Sequence, residues 1–283
     1  MKKSLLVLSM LSALGAAPAT VFAAETSAHT VTGNMTLTSD YRFRGISQTF
    51  GRPAIQGGID YSHSSGLYLG TWASNVSGNQ YLNGNGMEVD IYGGFKKELF
   101  KDFTLDVGYL EYMYPGAFYN TSAKTKYTNR ELYLGTTYKW VTVKYNHTLS
   151  DFFGVNDQTY SGACGINKDG SGVVGLPCLT NQTKGSKGSG YLDLTATIPV
   201  TEKINLIAHY GSQRVKNFGG LNYEDYKLGA TYDLNGWILG ASYIATTADA
   251  RFYRQVTTST GSSVQGVYDT SKPTFVVSVA KTF

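Results

Sequence analysis

Charge is scarce in this sequence. Asp, Glu, Lys and Arg make up 16% of its 283 residues, against about 25% in an ordinary soluble domain. The formal balance of +4 is scattered along the chain and offers no basic patch, so a nucleic-acid partner is not expected. Long apolar runs are missing beyond the N-terminal segment. That excludes a bundle of membrane helices, each of which needs about 20 consecutive apolar residues. Cysteine is limited to Cys164 and Cys178, and histidine to His29, His63, His147 and His209. With so few soft and nitrogen ligands, no metal centre or cofactor is expected. The glycine-rich stretches lack the Lys-Ser or Lys-Thr of a phosphate loop. What the chain does have in quantity is glycine, 33 residues, and tyrosine, 22 residues.

The N-terminus carries the only long apolar run. Lys2 and Lys3 precede Leu5 to Ala17, then Pro18 and the small-residue end Val21-Phe22-Ala23-Ala24. These are the charged, apolar and cleavage regions of a secretory signal peptide, expected to occupy residues 1–23. Its run is too short for a membrane anchor. The mature chain, residues 24–283, then works outside the cytoplasm. An oxidising compartment agrees with a Cys164–Cys178 disulfide within the Gly/Ser/Asn-rich stretch 151–188. Closing a loop of about 15 residues contributes about 3 kcal/mol in the chain-entropy picture.

The mature chain reads as short alternating runs. In Val31–Arg42 the odd positions include Val31, Met35, Leu37 and Tyr41, and the even ones Thr32, Asn34, Thr36, Thr38, Asp40 and Arg42. Side chains alternate across a strand, so one face is apolar and the other strongly polar. Twelve such runs begin near Val31, Pro53, Leu67, Met87, Phe103, Asn129, Val141, Gly190, Ile204, Tyr223, Trp237 and Thr274. Each has about the 9–11 residues of a tilted strand crossing a bilayer. Short connections such as Ser64-Ser65-Gly66 and Leu234-Asn235-Gly236 alternate with long ones such as Phe43–Arg52 and Asp151–Lys187. That rhythm predicts an all-β, up-and-down antiparallel transmembrane barrel of about 12 strands, with the 151–188 loop on the extracellular side.

The C-terminus agrees. Phe275, Val277, Val279 and Phe283 share one face of the last run, which ends in an aromatic residue as outer-membrane barrels commonly do. The barrel-assembly machinery reads that ending. Aromatics near strand ends, among them Tyr41, Phe43, Tyr112, Tyr114, Trp140 and Trp237, are expected in girdles at the two interfaces. A secreted β-sandwich would also hide an alternating apolar face. It would not explain the loop rhythm together with the terminal Phe283.

The segment from Thr36 through Ser39-Asp40-Tyr41-Arg42-Phe43-Arg44-Gly45-Ile46-Ser47-Gln48-Thr49 resembles the opening motif of the TorF-family porins, also labelled Gcw_chp. The likeness continues in Pro53–Tyr61, Ser65–Val76, Glu88–Gly94 and Tyr114-Pro115-Gly116. It is specific in the first half of the mature chain and mainly one of rhythm in the second. It implies an outer-membrane location and a pore, with the bilayer, its lipopolysaccharide, the assembly machinery and small hydrophilic solutes as partners. It supplies no catalytic residue.

If the apolar face meets lipid, the other face lines the lumen. Eight acids are assigned there: Asp40, Asp60, Glu88, Asp90, Asp106, Glu131, Asp193 and Asp225. Five bases face them, Arg42, Lys96, Lys139, Lys144 and Lys227, and extrapolating the first strand adds Arg44. Acidic linings favour cations. The expected function is a narrow, weakly cation-preferring channel, with Arg42 and Arg44 shaping a constriction. Two alternatives compete with it: a plugged barrel with an adhesin-like surface role for the 151–188 loop, and an outer-membrane enzyme. An enzyme has little support, because no histidine sits beside a nucleophile motif. His147 is read as lipid-facing, and His209 reaches a lumen carboxylate only if its strand register differs from this reading.

Overall fold

The computed structural model describes residues 27–160, 162–171, 179, 184–258 and 265–283. The expected signal segment 1–23 and Cys178 lie outside the described residues. Among the described ones there is no free cysteine.

The chain opens with β1 (His29–Thr38), followed by two short strands, β2 (Arg42–Phe43) and β3 (Ile46–Ser47), that pair only with each other. Then come β4 (Ala54–His63), β5 (Leu67–Asn75), β6 (Met87–Phe100), β7 (Phe103–Met113), β8 (Asn129–Tyr138) and β9 (Val141–Thr148). The second half holds β10 (Gly190–Pro199), β11 (Ile204–Arg214), β12 (Tyr223–Leu234) and β13 (Trp237–Thr246). A separate hairpin of β14 (Arg254–Thr258) and β15 (Gln265–Asp269) precedes the last strand, β16 (Thr274–Thr282). Twelve of these close into one antiparallel barrel, in which β16 returns to pair with β1. Closure removes every sheet edge, the one way a sheet can cross a membrane with its backbone satisfied.

Alternation decides which side of the wall each residue takes. In β5, Leu67, Leu69 and Thr71 are exposed, whereas Tyr68, Gly70, Trp72 and Ser74 are buried inward. In β8, Leu132 and Leu134 point out, and Asn129, Glu131 and Tyr133 point in. The outside is therefore apolar: Phe275 is 76% exposed, Leu228 66% and Ile55 66%. A water-soluble sandwich would have buried these side chains. The connections 64–66, 101–102, 139–140, 200–203 and 235–236 form tight turns at one end. Asn235 and Gly236, both at positive φ, make one of them the Asn-Gly turn that a two-residue hairpin prefers. At the other end run the loops 39–53, 76–86, 114–128, 149–189, 215–222 and 247–273.

Four expectations need correction. The first strand does not continue to Arg42. It stops at Thr38, where Ser39 N bonds to Val277 O, and the chain then turns into the barrel. Tyr41 and Phe43 are consequently inside the molecule and not in a lipid girdle; Tyr41 is 2% exposed. Tyr112 and Tyr114 likewise face inward, as part of an aromatic cluster with Tyr81 and Tyr127. Lys139 is no wall residue, since it occupies the exposed tip of the β8–β9 turn at positive φ. His209 faces the lumen, because the inward set of β11 includes Ile207; one apolar side chain on the polar face disguised the register.

Candidate functional site: the barrel lumen

The loop-end half of the lumen is built around the inward segment 39–53. Arg42 pairs with Ser47 and Phe43 with Ile46, and the two residues between them, Arg44 and Gly45, are both left-handed. That backbone closes the tightest possible hairpin and drives its tip across the barrel. Gly45 lies so close to the wall that a Cβ there would meet Thr246 Cγ2 at 2.5 Å and Asp225 Cβ at 2.8 Å. Loop backbone also holds the segment. Ser47 N donates to Thr270 O at 2.9 Å and Ser77 N to Gln48 O at 2.8 Å.

Its two arginines have different partners. Arg42 Nε donates to Asp40 Oδ2 at 2.8 Å and Nη1 to Gly45 O at 2.9 Å, so this pair lies within the segment itself. Asp40 Oδ1 accepts from Ser47 Oγ at 2.6 Å and from Thr49 Oγ1 at 3.0 Å. Arg44, by contrast, reaches the wall. Its Nη2 donates to both oxygens of Glu131, at 2.9 and 2.7 Å, and its Nη1 to Gln213 Oε1 at 2.8 Å. The guanidinium also lies over the rings of Phe43 and Tyr191, 4.7 and 4.2 Å from their centroids.

The remaining acids occupy inward wall positions. Glu88 accepts from Tyr41 Oη at 2.9 Å, and Asp60 from Tyr92 Oη at 2.6 Å and Asn34 Nδ2 at 3.1 Å. Asp106 accepts from Tyr68 Oη at 2.6 Å, and the Tyr68 and Tyr133 hydroxyls bond each other. Lys144 lies 4.2 Å over the Tyr133 ring. Asp90 is fully buried, with neither carboxylate oxygen hydrogen-bonded. Above the strands, the Tyr81 hydroxyl donates to Gln48 and its ring stacks on Tyr114, centroids 3.8 Å apart. Burial, reinforced by the nearby Glu88, pushes that hydroxyl well above its ordinary range.

A second constellation was missed by sequence reasoning. His209 Nε2 lies 3.0 Å from Asp225 Oδ1, and its Nδ1 lies 3.4 Å from Asp193 Oδ1 and 2.8 Å from Thr195 Oγ1. Tyr191 Oη adds a bond to Asp225 at 3.0 Å. Both imidazole nitrogens are thus hydrogen-bonded to side chains of the wall. Among the described residues no group of three or more His, Cys, Asp or Glu could hold a metal ion.

These placements divide the lumen. The side formed by β4 to β10 is filled by aromatic rings, including Tyr68, Trp72, Tyr92, Tyr112 and Tyr133, and by buried charges such as Asp90 and Glu131. The side formed by β12, β13, β16 and β1 carries small groups, Gly240, Ser242, Ser278, Ala280, Thr36 and Thr38, and retains a cavity. Asp40, Arg42 and Lys227 are the charged residues on that cavity.

Residues 22–283 match the protein family described as "Bacterial protein of unknown function (Gcw_chp)". The chain belongs to the Gcw_chp family. No curated protein matches it. Similar solved structures include the KdgM porin, at 7% identity over 90% of this chain and 99% of that one, with a TM-score of 0.47. The NanC porin shares 9% identity over 89% of this chain and 98% of that one, TM-score 0.47. The COG4313 outer membrane channel from Pseudomonas putida F1 shares 10% identity over 89% and 95%, TM-score 0.44. For this Gcw_chp protein, the closed barrel, its apolar exterior and its division into turn and loop ends are those of a bacterial outer-membrane protein.

Proposed function

We propose that this Gcw_chp protein is an outer-membrane channel that passes small hydrophilic solutes or ions by passive diffusion, with a weak preference for cations. The observation that carries this reading is the interior: a closed barrel, apolar outside, encloses inward faces rich in polar and charged groups and retains a cavity along β12, β13, β16 and β1. A lumen meant only to be stable would be filled on every side, as small barrels can be. The Asp40–Arg42 pair lies on this cavity at the loop end of the barrel. The interior carries eight acids, Asp40, Asp60, Glu88, Asp90, Asp106, Glu131, Asp193 and Asp225, against the bases Arg42, Arg44, Lys96, Lys144 and Lys227. That excess favours cations. Pairing of Arg42 with Asp40 and Arg44 with Glu131 keeps the preference weak.

The test is single-channel conductance and reversal potential of the refolded mature barrel in a planar bilayer, with heat-modifiable gel mobility as folding control. Discrete steps with a cation-sided reversal potential are expected. A folded barrel that stays silent under all voltages would overturn the channel reading.

One observation favours a second reading. The segment 39–53 fills the loop end, and above it Val155, Leu179, Val215, Phe218, Leu221 and Phe252 pack into an apolar core joining three loops. Such a cap also suits a plugged barrel that presents the 151–188 loop as a binding surface, closed by the proposed Cys164–Cys178 disulfide. Removing that loop separates the two. Raised conductance supports the channel, whereas unchanged silence with lost binding of the cells to a surface supports the plug.

A further inference from the structure

The cavity in the open half of the lumen has a chemical character of its own. Toward β13 and β16 its wall is hydrocarbon, from Ile238, Ile244, Val276 and Ala280. Opposite stands the Lys227 side chain of β12, half-buried between His209 and Ile244 on the neighbouring strands. Among the described residues its ammonium has no hydrogen-bond acceptor and no carboxylate within ion-pair distance.

The acids around it have other partners. Asp40 is bound by Arg42, Ser47 and Thr49, and Asp225 by His209 and Tyr191. Asp193, whose charge also acts on Lys227, is held by His209 and Thr195 through Oδ1, while its buried Oδ2 accepts no hydrogen bond. A half-buried ammonium beside hydrocarbon, whose nearest acting acid, Asp193, is shared with His209 and lies beyond ion-pair distance, is costly. The group that relieves it must bring a negative charge to Lys227 and an apolar surface to the facing wall.

We propose that this cavity is a binding site for small organic monoanions with a short hydrocarbon body, the carboxylate seated on Lys227 and the hydrocarbon against Ile238 and Val276. The proposal rests on reading the barrel as a channel, and it names the solute class that the channel retains on its way through. It agrees with a weak preference for inorganic cations. A bound carboxylate cancels the Lys227 charge and leaves the lumen more acidic, so occupancy shifts the reversal potential further to the cation side.

The test titrates the refolded barrel in detergent micelles with carbon-13-labelled hexanoate, followed by NMR, with hexylammonium and hexanol as matched probes. Saturable hexanoate binding is expected, with hexylammonium at least about tenfold weaker, the scale of one charge-assisted hydrogen bond. Lys227→Gln should weaken hexanoate by a similar factor. Ser278→Trp keeps the ammonium but fills the cavity, and it should abolish binding even if Lys227→Gln fails to fold. Equal binding of hexanoate and hexylammonium, or undiminished hexanoate binding in both variants, would overturn the site. The parallel conductance record keeps the two readings apart. Current without hexanoate binding removes the site and leaves the channel. Hexanoate binding to a silent barrel removes the channel and leaves the site.

Discussion

Arg44 shows what a single side chain can decide in this lumen. Its guanidinium is 4% exposed and its partner Glu131 is 0% exposed, so neither charge has water to fall back on while the segment is docked. Truncating one member of a buried pair of this kind usually costs about 3–5 kcal/mol, because the other charge is stranded. Here a cheaper escape exists: the segment can leave the wall and let Glu131 hydrate. Arg44→Ala should therefore give less than that full cost in chemical denaturation and a several-fold rise in single-channel conductance. Arg42 provides the contrast. Its partner Asp40 belongs to the same segment, so Arg42→Ala leaves the segment's tie to the wall intact. That variant is expected to change conductance little and to shift the reversal potential to the cation side, by removing one positive charge beside the cavity. Equal conductance gains from both variants would contradict the assignment of Arg44 as the tie.

At the scale of elements, the inward hairpin is the part that turns a barrel into a candidate gate. Its tip needs a glycine twice over. Gly45 has φ +79°, and any Cβ would press on Thr246 and Asp225. Alanine at a left-handed position loses about 1 kcal/mol or more before any clash is counted. Gly45→Ala should therefore undock the tip while leaving the barrel folded, visible as protease cleavage within residues 39–53 and a higher open probability. Unchanged protease resistance would mean that Thr270 and Ser77 hold the segment without the tip. This hairpin also marks where sequence reasoning stopped. The twelve wall strands were legible because alternation and lipid impose one rule on each of them, and Asn129, Val141, Gly190, Tyr223 and Thr274 are both expected and observed starts. Nothing in that rule says where a strand ends and the chain leaves the wall. Asp40, Arg42 and Arg44 continue the alternation of β1 in the sequence, yet they reach the lumen through a turn at Thr38 and not as part of the wall. A local sign was the Arg44-Gly45 pair, whose glycine interrupts an otherwise strand-like run. His209 was hidden for a related reason, since Ile207 breaks the polar face of β11 and makes either register look acceptable.

At the scale of the whole molecule, function depends on the difference between the two sides of one barrel. Strands β4 to β10 spend their inward positions on rings that interlock, with Tyr68, Asp106 and Tyr133 joined by hydrogen bonds and Lys144 lying over Tyr133. Strands β12, β13, β16 and β1 spend many of theirs on glycine, serine, alanine and threonine, with Ile238, Ile244, Val276 and Lys227 among them. A ring on every inward position would fill a barrel of this strand number; confining the rings to one side leaves a strip along the other. Substitutions on the two sides should therefore act very differently. Ser278→Trp adds an indole where the strip is lined by small groups, and conductance should fall by more than half with no loss of heat-modifiable folding. Tyr133→Phe removes a hydroxyl from the packed side. It should cost about 1 kcal/mol of stability, the net worth of an ordinary hydrogen bond, and leave conductance within the spread of the parent barrel. The reverse outcome, a block from Tyr133→Phe and none from Ser278→Trp, would put the conduction path through the aromatic side. Asp106 and Lys144 would then be its charged lining, and the Lys227 cavity would lie off the path.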